Sequence, residues 1–357
     1  MAISRRLASA QQYTIGWIAA LPIERAAAKA MLDEVHKPPD GFVKHSSDTN
    51  QYTWGAIGQH NIVIASLPAG RYGTVSAAGT AHAMQASLPD VRFGLLVGIG
   101  AGVPRIEDGI DVRLGDVVVS TPRGRSPGVV QYDLGKAQRD DVFKIVGSLN
   151  SPPEALLKAV GTLEADHMLQ DTQIPAFLQE MLVKYPKMST ANEVIPAGIV
   201  HQGSENDRLF HVEAFHVNDP DDSGSPGSTD RSCLLCDPAK ELCRRPRRTT
   251  APTIHHGTIA SGDTVIKDGI SRQVILERLG DDCLCFEMEA AGLMNSFPCL
   301  VVRGICDYAD SHKNDRWQPY AAATAAAYAK ELLTVVDAYE VQHSRTIKTI
   351  FEECAYS

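Results

Sequence analysis

Short apolar runs alternate along the chain with segments whose apolar residues recur at helical spacing, the pattern of an α/β protein. The runs that are short, apolar and bounded by turn residues are predicted as buried strands: Tyr13–Leu21, Phe93–Val97, Thr253–Ala260, Cys283–Phe286 and Cys299–Cys306. The runs Tyr52–Ile57 and Asn61–Ser66 predict a hairpin.

Segments of helical character connect these strands. Pro22 marks the start of the first helix, because a proline at the first helical position needs no amide donor. The predicted helices are Ile23–Val35, Thr74–Ser87, Pro153–Leu163, Ile174–Tyr185, Ser271–Leu279, Ala290–Phe297 and Ala321–Tyr339. The segment 282–311 thus predicts a strand–helix–strand unit.

Acidic residues follow both strands of this unit. Glu287 and Glu289 follow the first strand, and Asp307 and Asp310 follow the second. Ligands of open α/β sheets collect beyond the carboxyl ends of strands, so these acids together predict a site, although each alone is also an ordinary cap or turn residue. Glu24 lies in a first helical turn after a strand, where the helix dipole favours its ionised form.

Three glycines follow the strand that ends at Val97, in the sequence Gly98-Ile99-Gly100-Ala101-Gly102. Such a turn lets the backbone approach a ligand closely or present amides to an anion, which makes Gly100 a candidate binding residue. Pro104 and Gly109 interrupt any dinucleotide-type helix after it. We therefore predict no nicotinamide and no other cofactor.

Composition and charge exclude several classes of protein. The 357 residues are 44% hydrophobic and 22% charged, as in a soluble globular protein, and the net charge of −9 disfavours a nucleic-acid partner. No signal peptide and no apolar run of transmembrane length is evident, so no membrane partner is predicted. A cytoplasmic protein is expected.

Residues 203–251 are rich in Asp, Ser, Gly and Pro and are predicted to form an insertion loop that cannot order itself independently. Cys233, Cys236 and Cys243 lie in it, and zinc binding with His211 or His216 is an alternative to free thiols. Since neither the spacing nor a fourth ligand is clear, we assign no metal.

Four arginines close to the end of the insertion, Arg244, Arg245, Arg247 and Arg248, form a basic cluster. This cluster is either a solvated charge cluster or a clamp for the phosphates of a nucleotide-like ligand. The tail, 341–357, has no clear pattern.

The order of five motifs resembles that of the nucleoside phosphorylase/nucleosidase superfamily, in particular the fungal type and the hydrolytic methylthioadenosine nucleosidase-like branch. The motifs are IGWIAALPIER, VGIGAG with LGDVVVS, IASGDTVIKDG, FEMEAAG and RGICDYAD. The resemblance covers about residues 12–336. It implies one catalytic domain over 12–340, a three-layer α/β/α fold around a mixed, partly barrel-like sheet, a homo-oligomer, and cleavage of the N-glycosidic bond between base and ribose.

The resemblance also implies roles for individual residues. Met288 would pack under the sugar, Glu289 would accept from its 2′ and 3′ hydroxyls, and Glu287 would belong to the same binding motif. Asp307 would assist N7 of the purine. Val265 and Ile266 would lie along the base; many relatives have an aromatic residue where this chain has Val265.

Other positions distinguish the two possible nucleophiles, phosphate and water. Phosphorylases of the superfamily bind phosphate with an arginine and a hydroxyl residue where this chain has Leu96 and Ile99, and neither side chain binds an anion. The hydrolytic branch activates water with a glutamate at the position of Glu24. Arg71, in the GRYG turn, is a candidate phosphate ligand and keeps phosphorolysis open.

We predict a purine nucleosidase that hydrolyses adenosine-type nucleosides or adenine nucleotides, including ATP. Two alternatives remain at this point: a phosphate-dependent purine nucleoside phosphorylase and a catalytically inert nucleoside-binding signalling module. In every case the partner is a small nucleoside or nucleotide.

Overall fold

The computed structural model describes residues 5–139, 143–191, 197–218, 233–280 and 282–350. Its strands are β1 Ile15–Ala19, β2 Glu34–His36, β3 Thr53–Ile57, β4 His60–Ser66, β5 Phe93–Gly102, β6 Val117–Ser120, β7 Val129–Gln131, β8 Gly135–Ala137, β9 Phe143–Ile145, β10 Ile254–Ser261, β11 Cys283–Glu287 and β12 Cys299–Asp307. Its α-helices are α1 Pro22–Met31, α2 Thr74–Ser87, α3 Glu154–Leu169, α4 Ile174–Lys184, α5 Gly269–Leu279, α6 Gln318–Val335 and α7 Ala338–His343.

The large sheet is mixed and partly closed. Its strand order is β11-β10-β6-β12-β5-β1-β4-β3-β2, with β7 beside β10, and β11 returns to pair with β5. Strands β11, β10, β6, β12 and β5 therefore form a closed barrel, and β1 to β4 extend it as an open sheet. This is the mixed, partly barrel-like sheet that the family resemblance implies.

Helices cover both faces of the sheet. Helix α6 is almost entirely buried and packs on β5 and β12, with α1, α3 and α4 beside it. Helix α2 lies on the face to which Gly16 of β1 points, since a side chain there would meet Met84 of α2 and Phe297. The result is an α/β/α arrangement.

Closure of the barrel brings the acidic residues together. Strand β11 runs antiparallel to β5, and β12 runs parallel to β5, so β11 and β12 run in opposite directions. Phe286 pairs with Ala101, and Asp307 pairs with the same residue from the other side. The acids after the two strands thus converge through shared pairing with β5, and not at the carboxyl ends of neighbouring strands of an open sheet, as we expected.

Two predicted elements are wrong. The helix predicted over Ala290–Phe297 is a 3-10 turn over Ala290–Gly292 followed by turns, because Gly292 packs directly on the backbone of α2 and Pro298 ends the segment. The predicted glycine turn continues β5 to Gly102. There Gly100 and Gly102 leave room for Cys285 and Ile305.

The described parts of the insertion, 203–218 and 233–251, contain short 3-10 turns and pack against the core. Phe210 is 2% exposed and forms a backbone bridge with Glu241. Composition alone did not predict this order. Residues 219–232 of the insertion and 351–357 of the tail lie outside the described residues. Among the described helices, none has the length and apolar character needed to cross a membrane.

Candidate active site

A cavity of about 350 Å³ opens where β1 ends, along β5, and at the ends of β11 and β12. Its lining combines four carboxylates and two lysines with apolar and aromatic side chains. The lining residues are Ala20, Leu21, Glu24, Tyr72, Ile99, Gly100, Ala101, Thr264, Val265, Ile266, Lys267, Phe286, Glu287, Met288, Glu289, Cys306, Asp307, Ala309, Lys313 and Gln318. An apolar cavity with a few convergent polar groups is the usual form of a small-molecule site.

Glu24 is fixed by backbone amides at the start of α1. Its Oε2 accepts from the amides of Ala20 and Leu21 at 2.6 and 2.9 Å, and its Oε1 accepts from the Ile99 amide at 2.8 Å. Burial raises the pKa of this carboxyl, against the charge of Arg303 and the three amides, which lower it. We expected the helix dipole to keep Glu24 ionised; burial is the larger influence here.

Arg303, in the middle of β12, is the cation that neutralises the acids. It is 1% exposed, and its Nη2 donates to Glu287 and, at 3.1 Å, to Glu289 Oε2. Burial opposes its charge, but Glu287, Glu289 and Glu24 together raise the pKa of the guanidinium above its usual value. Gly98 makes this approach possible, because a side chain there would collide with Glu24 and Arg303.

Glu287 and Glu289 extend the same network. Glu287 accepts from the amides of Glu289 and Ala290 at 3.0 and 3.1 Å, which fixes the turn after β11. Glu289 Oε1 accepts from the Gly73 amide at 3.3 Å. Burial raises the pKa of Glu289 to about 7; Arg303 lowers it, and the other acids raise it.

Asp307 lies at the end of β12, on another part of the cavity wall. Its Oδ2 is 2.6 Å from Lys313 Nζ, and its Oδ1 accepts from the Ala309 amide at 2.9 Å. Burial opposes the charge on Lys313, but Asp307 raises the pKa of the ammonium overall. Ala309 has a φ of 53°, a left-handed conformation that is rare for residues with a side chain and occurs often at functional sites.

The structure gathers most of the predicted residues around this cavity. The predicted residues that line it are Glu24, Glu289, Asp307, Met288, Glu287, Val265, Ile266 and Gly100. Val265 is 41% exposed, whereas Phe286 is 5% exposed and supplies an aromatic side chain to the lining.

The five arginines that we predicted as candidate phosphate ligands lie outside the cavity lining. Arg71 is exposed and outside the cavity lining. Arg244 pairs with Asp207 at 3.0 Å, and Arg247 pairs with Asp116 at 2.5 Å. Arg245 and Arg248 are exposed and also outside the lining. The cluster does not form a clamp at the cavity, because buried carboxylates already neutralise two of its members.

Three residues of the site were missed. The sequence did offer a reason to predict Arg303: a charged residue inside an apolar strand requires a buried partner, and acidic residues lie in the same segment. The sequence contained no such indication for Lys313 and Lys267, because a lysine in a polar loop is usually a solvated side chain.

Comparison with solved structures shows the same fold in nucleosidases. The futalosine hydrolase of Helicobacter pylori superposes with a TM-score of 0.52 at 16% identity, over 91% of this chain and 99% of that one. The 5′-methylthioadenosine/S-adenosylhomocysteine nucleosidase of Neisseria meningitidis, in complex with methylthio-immucillin-A, superposes with a TM-score of 0.54 at 15% identity, over 90% and 98% of the two chains.

Sequence comparison finds relatives that are much longer. A nucleotide-binding leucine-rich repeat (NLR)-like protein of Hyaloscypha variabilis is 40% identical over 346 residues, 97% of this chain and 32% of that protein. The ATP nucleosidase Cap17 of Escherichia coli strain KTE188 is 36% identical over 88 residues, 22% of this chain and 17% of that protein. The chain thus spans about a third of the first relative. No family model matches it. The chain thus has the fold of these nucleosidases.

Proposed function

We propose that the chain is a purine nucleosidase that hydrolyses the N-glycosidic bond of an adenosine-type nucleoside or adenine nucleotide. The observation that carries this proposal is the position of Glu24, held by three amides beside the Glu287–Arg303–Glu289 network, in one cavity with Asp307. A base for water, an acceptor for ribose and a polar pair for the purine are thereby available together.

Glu24 is the proposed general base. A carboxylate has about four lone-pair sites, and three of those on Glu24 accept backbone amides, so one remains for a water in the cavity. Burial raises the pKa of Glu24 above its usual value, and a carboxylate with a raised pKa is a stronger base for taking a proton from water. The water would attack the anomeric carbon as the bond to the base breaks.

Glu289 is the proposed acceptor for the ribose hydroxyls, with Met288 against the sugar. Its Oε2 is oriented by Arg303 and its Oε1 by the Gly73 amide. The ribosyl group gains positive charge as the base departs, and the acids of this wall lie where they would stabilise that charge.

Asp307 and Lys313 are the proposed partners of the departing base. In their 2.6 Å contact the Lys313 ammonium directs one of its protons at the Asp307 carboxylate, at the cavity wall. In this scheme the pair delivers a proton to N7 of the purine, which neutralises the leaving group. Phe286, Val265 and Ile266 supply the apolar lining for the base.

The experiment that tests the proposal measures base release from adenosine and from ATP by the purified protein, first without phosphate and then with it. We expect free base without phosphate, together with free ribose or its 5′-phosphorylated form. Base release only in the presence of phosphate, with ribose 1-phosphate as product, would instead establish phosphorolysis. No base release under either condition would leave the inert binding module as the better account.

Lys267 bears on the choice between nucleoside and nucleotide. It is exposed and lines the cavity, so it offers a positive charge to 5′-phosphates that a nucleoside lacks. We expect Lys267→Ala to lower kcat/KM for ATP by about fivefold, the effect of one exposed charge pair, and to leave adenosine turnover unchanged. Lys136→Ala, at an exposed lysine outside the cavity, is the matched control. Equal losses with both substrates would remove the assignment to 5′-phosphates.

The pH dependence of kcat/KM follows from the two raised pKa values. Glu24 acts as a base and Glu289 as an acceptor, so both are needed ionised, and activity falls as the pH drops through their pKa values. Both values are raised from an ordinary 4.5, that of Glu289 to about 7. The higher of the two pKa values sets the acid limb of the profile, so we expect this limb well above pH 4.5, at about pH 7 where Glu289 sets it. An acid limb at or below 4.5 would contradict these roles.

A further inference from the structure

We propose that Cys233, Cys236, His216 and His312 form a structural zinc site outside the cavity. The site would join the insertion to the loop that follows Asp307.

Three of the four ligands already lie together. Ligand atoms of His216, Cys233 and Cys236 all lie within 4.8 Å of one another. His216 Nδ1 is 3.4 Å from the sulfur of Cys236 and 3.9 Å from that of Cys233. Cys233 begins a single 3-10 turn, Cys233–Leu235, and Cys236 follows it, so their C-x2-C spacing is that of zinc-binding turns.

His312 is the independent observation that points to a ligand. It is 6% exposed, and neither of its ring nitrogens has a hydrogen-bond partner among the described residues. A buried imidazole without hydrogen-bond partners is unfavourable, and a bond to a metal would remove that cost. Its ring stacks on Phe210 at 3.9 Å with an interplanar angle of 8°, which fixes its orientation.

The separation of the two histidine rings suits one metal ion. Zinc–nitrogen bonds of about 2.0–2.1 Å at a tetrahedral angle separate two imidazole centroids by about 5 Å. The rings of His216 and His312 are 5.6 Å apart, edge to face. Asp310 Oδ1 is 3.6 Å from His312 Nδ1, in the position of a carboxylate that orients a zinc-binding histidine.

The donor set selects zinc among common metals. Two thiolates and two imidazoles match the tetrahedral Cys2His2 sites of structural zinc, whereas calcium and magnesium prefer oxygen ligands. Two thiolates also balance the charge of a divalent ion. The sequence alone offered His211 or His216 and no clear fourth ligand; the fold supplies His312 from a segment 76 residues beyond Cys236.

The position of the site gives it a structural role. The His216 amide already donates to Ser311 Oγ at 2.9 Å, so the insertion and the 311–313 segment touch beside the proposed metal. Lys313, the next residue after His312, pairs with Asp307. A zinc ion would therefore hold the insertion against the loop that carries the Asp307–Lys313 pair.

The test measures metal content of the full chain, purified under reducing conditions and without chelators. We expect about one zinc ion per chain, or uptake of one equivalent after zinc is added and excess is removed. Cobalt in place of zinc should give the thiolate-to-cobalt charge-transfer absorption of a site with cysteine ligands. Reduced, folded protein that binds neither metal would overturn the proposal.

Variants assign the ligands. Cys236→Ser should abolish stoichiometric zinc and the cobalt band, while Cys243→Ser, at an exposed cysteine, should leave both unchanged. His312→Gln should weaken zinc affinity by more than the roughly tenfold to hundredfold that loss of an outer-shell partner costs. Zinc that stays bound with wild-type affinity in Cys236→Ser would refute the site. Circular dichroism of each variant shows whether the chain is folded, and the cobalt spectrum of His312→Gln reports the thiolates even if the affinity falls.

Discussion

Replacing Glu24 by glutamine is expected to reduce base release by about 10²–10⁴-fold, the usual contribution of a general base. Glutamine keeps the size of the side chain but cannot take a proton from water at neutral pH. The measurement is single-turnover release of base at saturating substrate. Binding of a non-hydrolysable nucleoside analogue should change much less, since Glu24 is assigned to the water and not to the sugar or the base.

The same substitution should also lower stability, and this effect needs a control. Both oxygens of Glu24 accept backbone amides, so either orientation of a glutamine amide group sets a donor against a donor. Such a conflict costs about 1–3 kcal/mol. Glu331→Gln is the matched control: Glu331 is also buried and accepts from the Gln173 amide at 2.7 Å, but it lies outside the cavity lining.

We expect Glu331→Gln to lower the free energy of unfolding by no more than Glu24→Gln does, because the Thr172 hydroxyl at its second oxygen can turn to accept from a glutamine amide, and to retain wild-type turnover. A Glu24→Gln variant that turns over as fast as wild type would end the water-activation hypothesis. If the two variants lost activity equally, the loss in Glu24→Gln would reflect stability and not chemistry.

Much of the fold could be predicted from hydrophobic patterning. Helix α2 matches its predicted bounds, and most strands lie within a few residues of theirs, because their apolar runs are bounded by turn residues and prolines. The wrong predictions, the glycine turn after Val97 and the helix over Ala290–Phe297, both treated glycines only in terms of their neighbours in the sequence. Gly100 and Gly102 continue β5, and Gly292 packs on α2, for reasons of close packing that appear only when distant elements meet.

The candidate site was predictable in its residues but not in its construction. Acids after apolar strands indicated the site, yet β11 and β12 run in opposite directions, and barrel closure is what brings their ends together. The partner of the acids, Arg303, lies in the same segment, but spacing along a strand does not reveal which side chains share one buried space. The arginines near residue 245 failed as a clamp because their carboxylate partners are more than 35 residues away in sequence.

Replacing Arg303 by methionine is expected to lower the free energy of unfolding by about 3–5 kcal/mol, since removing one partner leaves buried charges uncompensated. Arg303 is 1% exposed, and Glu287, Glu289 and Glu24 all depend on its charge. The measurement is urea denaturation of each variant at neutral pH. Arg303→Lys keeps a positive charge and should lose less, although it cannot reproduce both contacts of the guanidinium.

Two further measurements separate lost charge from lost packing in Arg303→Met. Without the cation, the folded-state pKa values of Glu24 and Glu289 rise further above their unfolded values. Acids shifted in this way contribute stability below the unfolded pKa and lose it as the pH rises, so the deficit relative to wild type should be smaller near about pH 5 than near about pH 8. Adding Glu287→Gln should recover part of the loss, because it removes one of the stranded charges. A deficit that is independent of pH and unchanged in the double variant would mean that Arg303 acts through its packing, and the electrostatic account of the site would be wrong.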